Sequence, residues 1–297
     1  MTSIHRYLAE EVALDHTDGL ISRREAMRRL ALLGLSLTAA SSLLAACSSD
    51  GDTTASPSPT QSGTSPTASP PAATTEAVTF AGPEGQTLHG AWAAAKDPRG
   101  AVLVIHENRG LTDHIRTVAG RLAMSGYSAL ALDLLSEEGG TSSFSDSAAA
   151  TAALGRVPQQ RFVADMRAAV GELGRRETHK LGVVGFCFGG GMVWTLLAAG
   201  EPRLSAAVPF YGPLPDGADF SRSRAAVLAI YAERDARVNA SRDTATAALR
   251  AAEVTHEVVT FPDADHAFFN DTGQRYNATA ASAAYQRVLD WFGRYLA

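Results

Sequence analysis

Cysteine is scarce in this chain. Only two occur, Cys47 and Cys187, one closing an apolar N-terminal run and the other set among glycines. A disulfide framework is therefore not indicated, and a metal site built on clustered thiolates is excluded. Basic charge is also short: 26 Lys and Arg against 31 Asp and Glu leave a formal net charge of −5. Without a strong positive field, nucleic acid is not expected as a partner. No internal repeat is visible, and no composition break divides the chain after residue 77. What remains is 45% hydrophobic and 19% charged, which suits one sizeable globular core.

The N-terminus reads as a targeting segment. Ser22-Arg23-Arg24 opens a basic stretch reaching Arg28-Arg29, and residues 30–46 then form an uncharged, apolar and small-residue run. A basic region followed by an apolar one is the order of an export signal. The arginine pair resembles a twin-arginine signal, although Ala26 and Met27 stand where a bulky apolar pair is commoner. Leu44-Ala45-Ala46-Cys47 resembles the lipobox of bacterial lipoproteins. The expectation is a signal peptide over 1–46, a lipid on Cys47 and a chain held on the outer face of the bacterial cytoplasmic membrane. An uncleaved membrane helix is the alternative. Residues 47–76 are rich in Ser, Thr, Pro and Ala. Such a stretch has too little apolar area to offset chain entropy, so a disordered tether is expected ahead of a folded domain over 77–297.

That domain alternates short apolar runs with helical periodicity. Strands are predicted over 101–105, 128–132, 181–186, 206–211, 227–232 and 256–261. Helices are predicted over 114–124, 161–173, 188–199, 242–252 and 280–296, the last with Tyr285, Val288, Leu289, Phe292 and Leu296 on one stripe. Residues 76–95 suggest an antiparallel hairpin turning near Gly82-Pro83-Glu84-Gly85. The alternation implies an α/β fold, a mostly parallel doubly wound sheet with helices on both faces. Residues 136–158 are polar and small, and read as a loop or cap near a site or as a surface excursion.

The sharpest local signal is Gly185-Phe186-Cys187-Phe188-Gly189-Gly190. It joins a predicted strand to a predicted helix and reads G-x-C-x-G, the cysteine form of the nucleophile elbow. A nucleophile on so sharp a turn needs glycine two residues to either side, where side chains would collide. The helix N-terminus beneath the sulfur favours a thiolate and a developing oxyanion, for which the Phe188 N–H is the expected donor. Asp235 follows the strand over 227–232, on the rim where open α/β sheets bind ligands. His266 follows the last strand. The order Cys187, Asp235, His266 is the nucleophile–acid–base order of α/β-hydrolases. Glu233 is the fallback carboxylate, and Asp263 and Asp265 are expected to shape the histidine loop.

With these blocks and the loop Ile105-His106-Glu107-Asn108-Arg109-Gly110, the chain resembles the dienelactone hydrolase family from about Val102 to the C-terminus. The resemblance implies an α/β-hydrolase fold, a Cys–His–Asp triad and no cofactor or metal. It also implies that Glu107 modulates the thiol and that the Asn108 N–H completes the oxyanion hole. Two positions depart from the dienelactone-cleaving members, which carry serine directly after the histidine and arginine four positions after it. Here they are Ala267 and Asn270. Arg109, Arg156 and Arg161 are the other cations that could face a substrate carboxylate. The departure points to an ester, lactone or thioester in general rather than to dienelactone. Two rival readings remain open: a non-catalytic anchored binding protein on a hydrolase fold, and a redox-active thiol protein. Oligomeric state is not legible.

Overall fold

A computed structural model describes residues 3–49 and 71–297; the side chains of residues 3 and 47–49 are outside the description. The described chain falls into two units, 1–70 and 71–297. In the first, helix α1 (Ser3–Thr17), α2 (Arg23–Leu32) and α3 (Leu37–Ser49) follow one another. Ser22 caps α2 by accepting from the Glu25 N–H, and Glu25 in turn pairs with Arg28 and Arg29. The apolar run over 30–46 is split between α2 and α3 by a turn at Gly34, whose φ is +82°. No helix among the described residues is long and apolar enough to cross a membrane. The proposed lipidation site at Cys47 lies where side chains are not described, and residues 50–70, most of the expected tether, lie outside the described residues.

The second unit is built on one eight-stranded sheet in the order β1-β2-β4-β3-β5-β6-β7-β8. The expected hairpin is present: β1 (Glu76–Ala81) pairs antiparallel with β2 (Thr87–Ala93), with Phe80 facing Leu88. β2 is antiparallel to β4 (Tyr127–Asp133). From β4 on, β3 (Gly100–Ile105), β5 (Leu181–Phe186), β6 (Leu204–Phe210), β7 (Ala226–Ala232) and β8 (His256–Phe261) are parallel. Every residue of β3, β4, β5 and β7 is buried. That accounts for their uninterrupted apolar runs, since a parallel strand covered on both faces has no solvent side.

Helices cross between the strands. α4 (Asp113–Met124) buries Ile115, Val118 and Leu122. A short α5 (Ser147–Leu154), capped by the Asp146 carboxylate on the Ala149 N–H, lies inside the stretch expected as loop or cap. α6 (Gln159–Arg176) buries Phe162, Met166, Val170 and Leu173, the stripe its periodicity predicts. α7 (Phe188–Ala199) is apolar all round and buried along Phe188–Leu197. α8 (Ala236–Asn239) is a single turn, and α9 (Arg242–Ala251) precedes β8. α10 (Ala278–Tyr295) buries Val288 and Phe292 as expected. Tyr285 and Leu289 are half-buried, and Trp291 is buried as well, its indole N–H donating to the Ala226 carbonyl. The sheet reverses direction of growth at β3, flanked by β4 and β5. In such sheets the groove at the carboxyl ends of the central strands receives ligands.

Candidate active site

β5 runs straight into α7, and Cys187 is the single residue between them. Its φ of 56° and ψ of −119° are far from any relaxed L-residue conformation, at a cost of about 1–3 kcal/mol. Two hydrogen bonds hold it: the Cys187 N–H donates to the Phe210 carbonyl at 3.1 Å, and its carbonyl accepts from the Gly191 N–H at 3.1 Å. The flanking glycines are needed for contact. A Cβ on Gly185 would meet the Gly189 carbonyl oxygen at 2.2 Å, and one on Gly189 would meet the Ile105 oxygen at 2.4 Å.

The three residues read from the sequence come together. The Cys187 sulfur and a ring nitrogen of His266 lie within 4.8 Å of each other. His266 Nδ1 is 2.5 Å from Asp235 Oδ2. All three side chains are buried. Asp235 Oδ1 accepts from the Val238 N–H at 3.1 Å, capping α8, so both carboxylate oxygens are engaged. Burial pushes the Asp235 carboxyl up. The His266 charge and hydrogen bond, the Arg237 charge and the Val238 N–H outweigh it, and the net pKa is lowered. Glu233, the fallback, is turned elsewhere: it accepts from the Asp263 N–H at 2.8 Å. Asp263 and Asp265 face Arg234, at 2.9 and 3.7 Å, and shape the loop. Ala267 takes φ of +62° in the tight turn after the histidine.

The loop after β3 supplies the other residues expected here. Glu107 is buried, and its Oε2 accepts from Asn270 Nδ2 at 2.6 Å. The amide orientation follows from the other end, where Asn270 Oδ1 accepts from the Thr272 N–H at 3.0 Å. Glu107 Oε1 is buried with no hydrogen-bond partner among the described residues. Thus the residue standing where dienelactone-cleaving members carry arginine holds Glu107 through a neutral amide. The Asn108 carbonyl accepts from Thr151 Oγ1 on α5 at 2.8 Å, so the 136–158 stretch braces this loop. Thr141 adds a second brace, accepting from the Leu111 N–H at 2.8 Å. Arg161 is committed elsewhere, forked onto Glu138 at 2.6 and 2.9 Å.

Sequence reasoning did not assign Tyr211 or Thr151 to this neighbourhood, and it gave Asn270 no role toward Glu107. Tyr211 is fully buried with φ of 34°, and its ring centroid is 5.1 Å from that of His266. Burial, then the charges of Glu107 and Cys187, push its hydroxyl well above the ordinary tyrosine pKa, so it stays neutral. The one signal in the sequence was Tyr211-Gly212 closing an apolar strand.

The sequence model of the dienelactone hydrolase family matches residues 88–296. The chain belongs to the dienelactone hydrolase family. It is a hydrolase of that kind. A Salmonella typhi protein named "Putative carboxymethylenebutenolidase" is 34% identical over 243 residues, covering 76% of this chain and 90% of that one. The crystal structure titled "Putative Dienelactone Hydrolase" from Klebsiella pneumoniae is 31% identical with a TM-score of 0.66, covering 74% of this chain and 99% of that one. A dienelactone hydrolase-like promiscuous phosphotriesterase from metagenomic libraries is 25% identical with a TM-score of 0.65, covering 76% of this chain and all of that one.

Proposed function

We propose that this dienelactone hydrolase family member cleaves carboxylic esters or lactones through Cys187, His266 and Asp235 by way of a thioester. The observation that carries the reading is the proximity of thiol, imidazole and carboxylate. The sulfur lies within 4.8 Å of the His266 ring, whose Nδ1 is 2.5 Å from Asp235. With Nδ1–H donated to Asp235, Nε2 is the nitrogen that exchanges protons. His266 takes the Cys187 proton and the sulfur attacks the carbonyl carbon. The N–H groups of Phe188 and Asn108 hold the oxyanion. The alcohol or ring oxygen leaves with the proton from His266, and the acyl group remains on sulfur as a thioester. His266 then deprotonates water, which attacks the thioester and releases the acid and the thiol. Asp235 stabilises the imidazolium at both stages. Glu107, engaged at one oxygen by Asn270, is the residue to which this reading gives the modulation of the thiol.

Residue 267 carries a methyl group, and the amide of Asn270 is taken by Glu107 and Thr272. Neither offers a cation to a substrate carboxylate, so an uncharged ester or lactone fits this reading. For the N-terminus, the basic-then-apolar order over 22–46 and the Leu44-Ala45-Ala46-Cys47 sequence support export and a lipid on Cys47. The decisive experiment is hydrolysis of a p-nitrophenyl ester by wild type and Cys187→Ala. Turnover in wild type, its loss in the variant, and loss in wild type after alkylation with iodoacetamide are expected. Equal turnover by both proteins would refute the nucleophile.

A further inference from the structure

His106 stands one residue before Glu107 and takes no part in the chemistry above. Its side chain is fully buried. Nδ1 lies 2.6 Å from the Glu107 carbonyl oxygen, and Nε2 lies 3.0 Å from the Leu134 backbone nitrogen. These partners define the tautomer. A carbonyl only accepts, so Nδ1 carries the proton; a backbone N–H only donates, so Nε2 carries the lone pair. Burial lowers the ring's pKa against the opposing pull of Asp133 and the backbone acceptors. The imidazole is neutral and donates in one direction only.

The carbonyl it holds belongs to the Glu107–Asn108 peptide. In a trans peptide the C=O and N–H point to opposite sides, and no cis bond occurs among the described residues. A ring that fixes the Glu107 oxygen on one side therefore aims the Asn108 N–H to the other. Thr151 fixes the next peptide through the Asn108 carbonyl. The same imidazole stacks on Phe188, centroids 6.3 Å apart at 20°, and Phe162 meets the Phe188 ring edge-on at 5.4 Å. Phe188 is the residue whose N–H is the other oxyanion donor.

The geometry points to His106 as the positioning residue of the oxyanion hole, orienting the Asn108 donor by a hydrogen bond and bracing the Phe188 donor by stacking. It touches neither substrate nor thiol in this role. The inference rests on the thioester reading above.

The test compares wild type, His106→Phe and His106→Asn in the full chain by saturation kinetics with p-nitrophenyl butyrate and by the rate of Cys187 alkylation with iodoacetamide. Alkylation forms no oxyanion, so it reports the thiol without the hole. Phenylalanine keeps the stacking and loses the hydrogen bond; asparagine places an amide N–H near the position of Nδ1–H. Losing one oxyanion donor outright costs roughly 10²–10³ in kcat. A misaimed donor should cost His106→Phe about tenfold to a hundredfold, with KM and alkylation unchanged, and His106→Asn should recover most of kcat. ¹⁵N NMR should show the Nδ1–H tautomer at His106 throughout the range of about pH 5–8 in which an ordinary histidine titrates. If His106→Phe does not fold, His106→Gln replaces it, because glutamine can reach the Leu134 N–H without donating to Glu107, and it should be slow where asparagine is fast. Wild-type kcat in the phenylalanine or glutamine variant, parallel loss of kcat and alkylation, no rescue by asparagine, or the Nε2–H tautomer would each overturn the proposal. Wild-type protein without ester turnover would instead overturn the hydrolase reading beneath it.

Discussion

Asp235 and Asp165 are both buried aspartates with a basic side chain nearby, and they end in opposite states. At Asp235 burial opposes ionisation, but His266 at 2.5 Å, the Val238 N–H and Arg237 outweigh it, and the pKa falls. At Asp165, on α6, burial and the Glu137 charge prevail. Arg161 is 3.7 Å away, and its guanidinium is already forked onto Glu138. The carboxyl is pushed up to about 7. Burial sets the demand in both places, and the partner's other commitments decide the outcome. Glu107 stands apart from each: one oxygen takes a neutral amide, and the other has no hydrogen bond among the described residues. A carboxylate so loosely held suits a modulating role, whereas Asp235 is tied at both ends.

Removing the charge at each carboxylate sharpens this contrast. Asp235→Asn should have the largest effect, lowering kcat by about 10³–10⁴ through loss of the imidazole's tautomer and charge partner. Ester turnover within tenfold of wild type would break the view that Asp235 orients His266. Glu107→Gln should be milder, about tenfold in kcat, because only an electrostatic influence on the thiol is removed. Its signature is a changed pH dependence of Cys187 alkylation, and an unchanged profile would assign Glu107 to packing alone. Asp165→Asn should leave turnover unchanged and act on stability. Its raised folded pKa means that its contribution is fully present below about 3.8 and is lost as pH rises through about 7. The variant should therefore melt a few degrees above wild type at about pH 8 and at the same temperature near pH 4. A Tm gain equal at both pH values would show that Asp165 is not carrying the strain.

Much of the second unit was legible from local pattern. The strands over Leu181–Phe186 and His256–Phe261 and the helix over Phe188–Ala199 coincide with their predicted bounds; the first and last are apolar runs ended by Gly or polar residues, and the second is ended by Pro262. The elbow was legible because a backbone that tight admits glycine at 185 and 189 and little else. The burial of Trp291 was not foreseen because it depends on packing against β7, where its indole N–H meets the Ala226 carbonyl. The helix within 136–158 was obscured by a run of alanine and serine with almost no amphipathic contrast.

Residue order and spacing by themselves determined the alternation of strands and helices and the glycine-flanked cysteine. These depend on neighbours a few positions apart. Tertiary structure alone decided that Asp235 rather than Glu233 meets His266, and that Asn270 holds Glu107 across 163 residues of chain. It also decided that His106 and Thr151 clamp the loop carrying Asn108. A hydrogen bond is made or missed within a few tenths of an ångström. Distances between residues so far apart in sequence are set by the packing of the whole sheet and its helices, which no local pattern encodes.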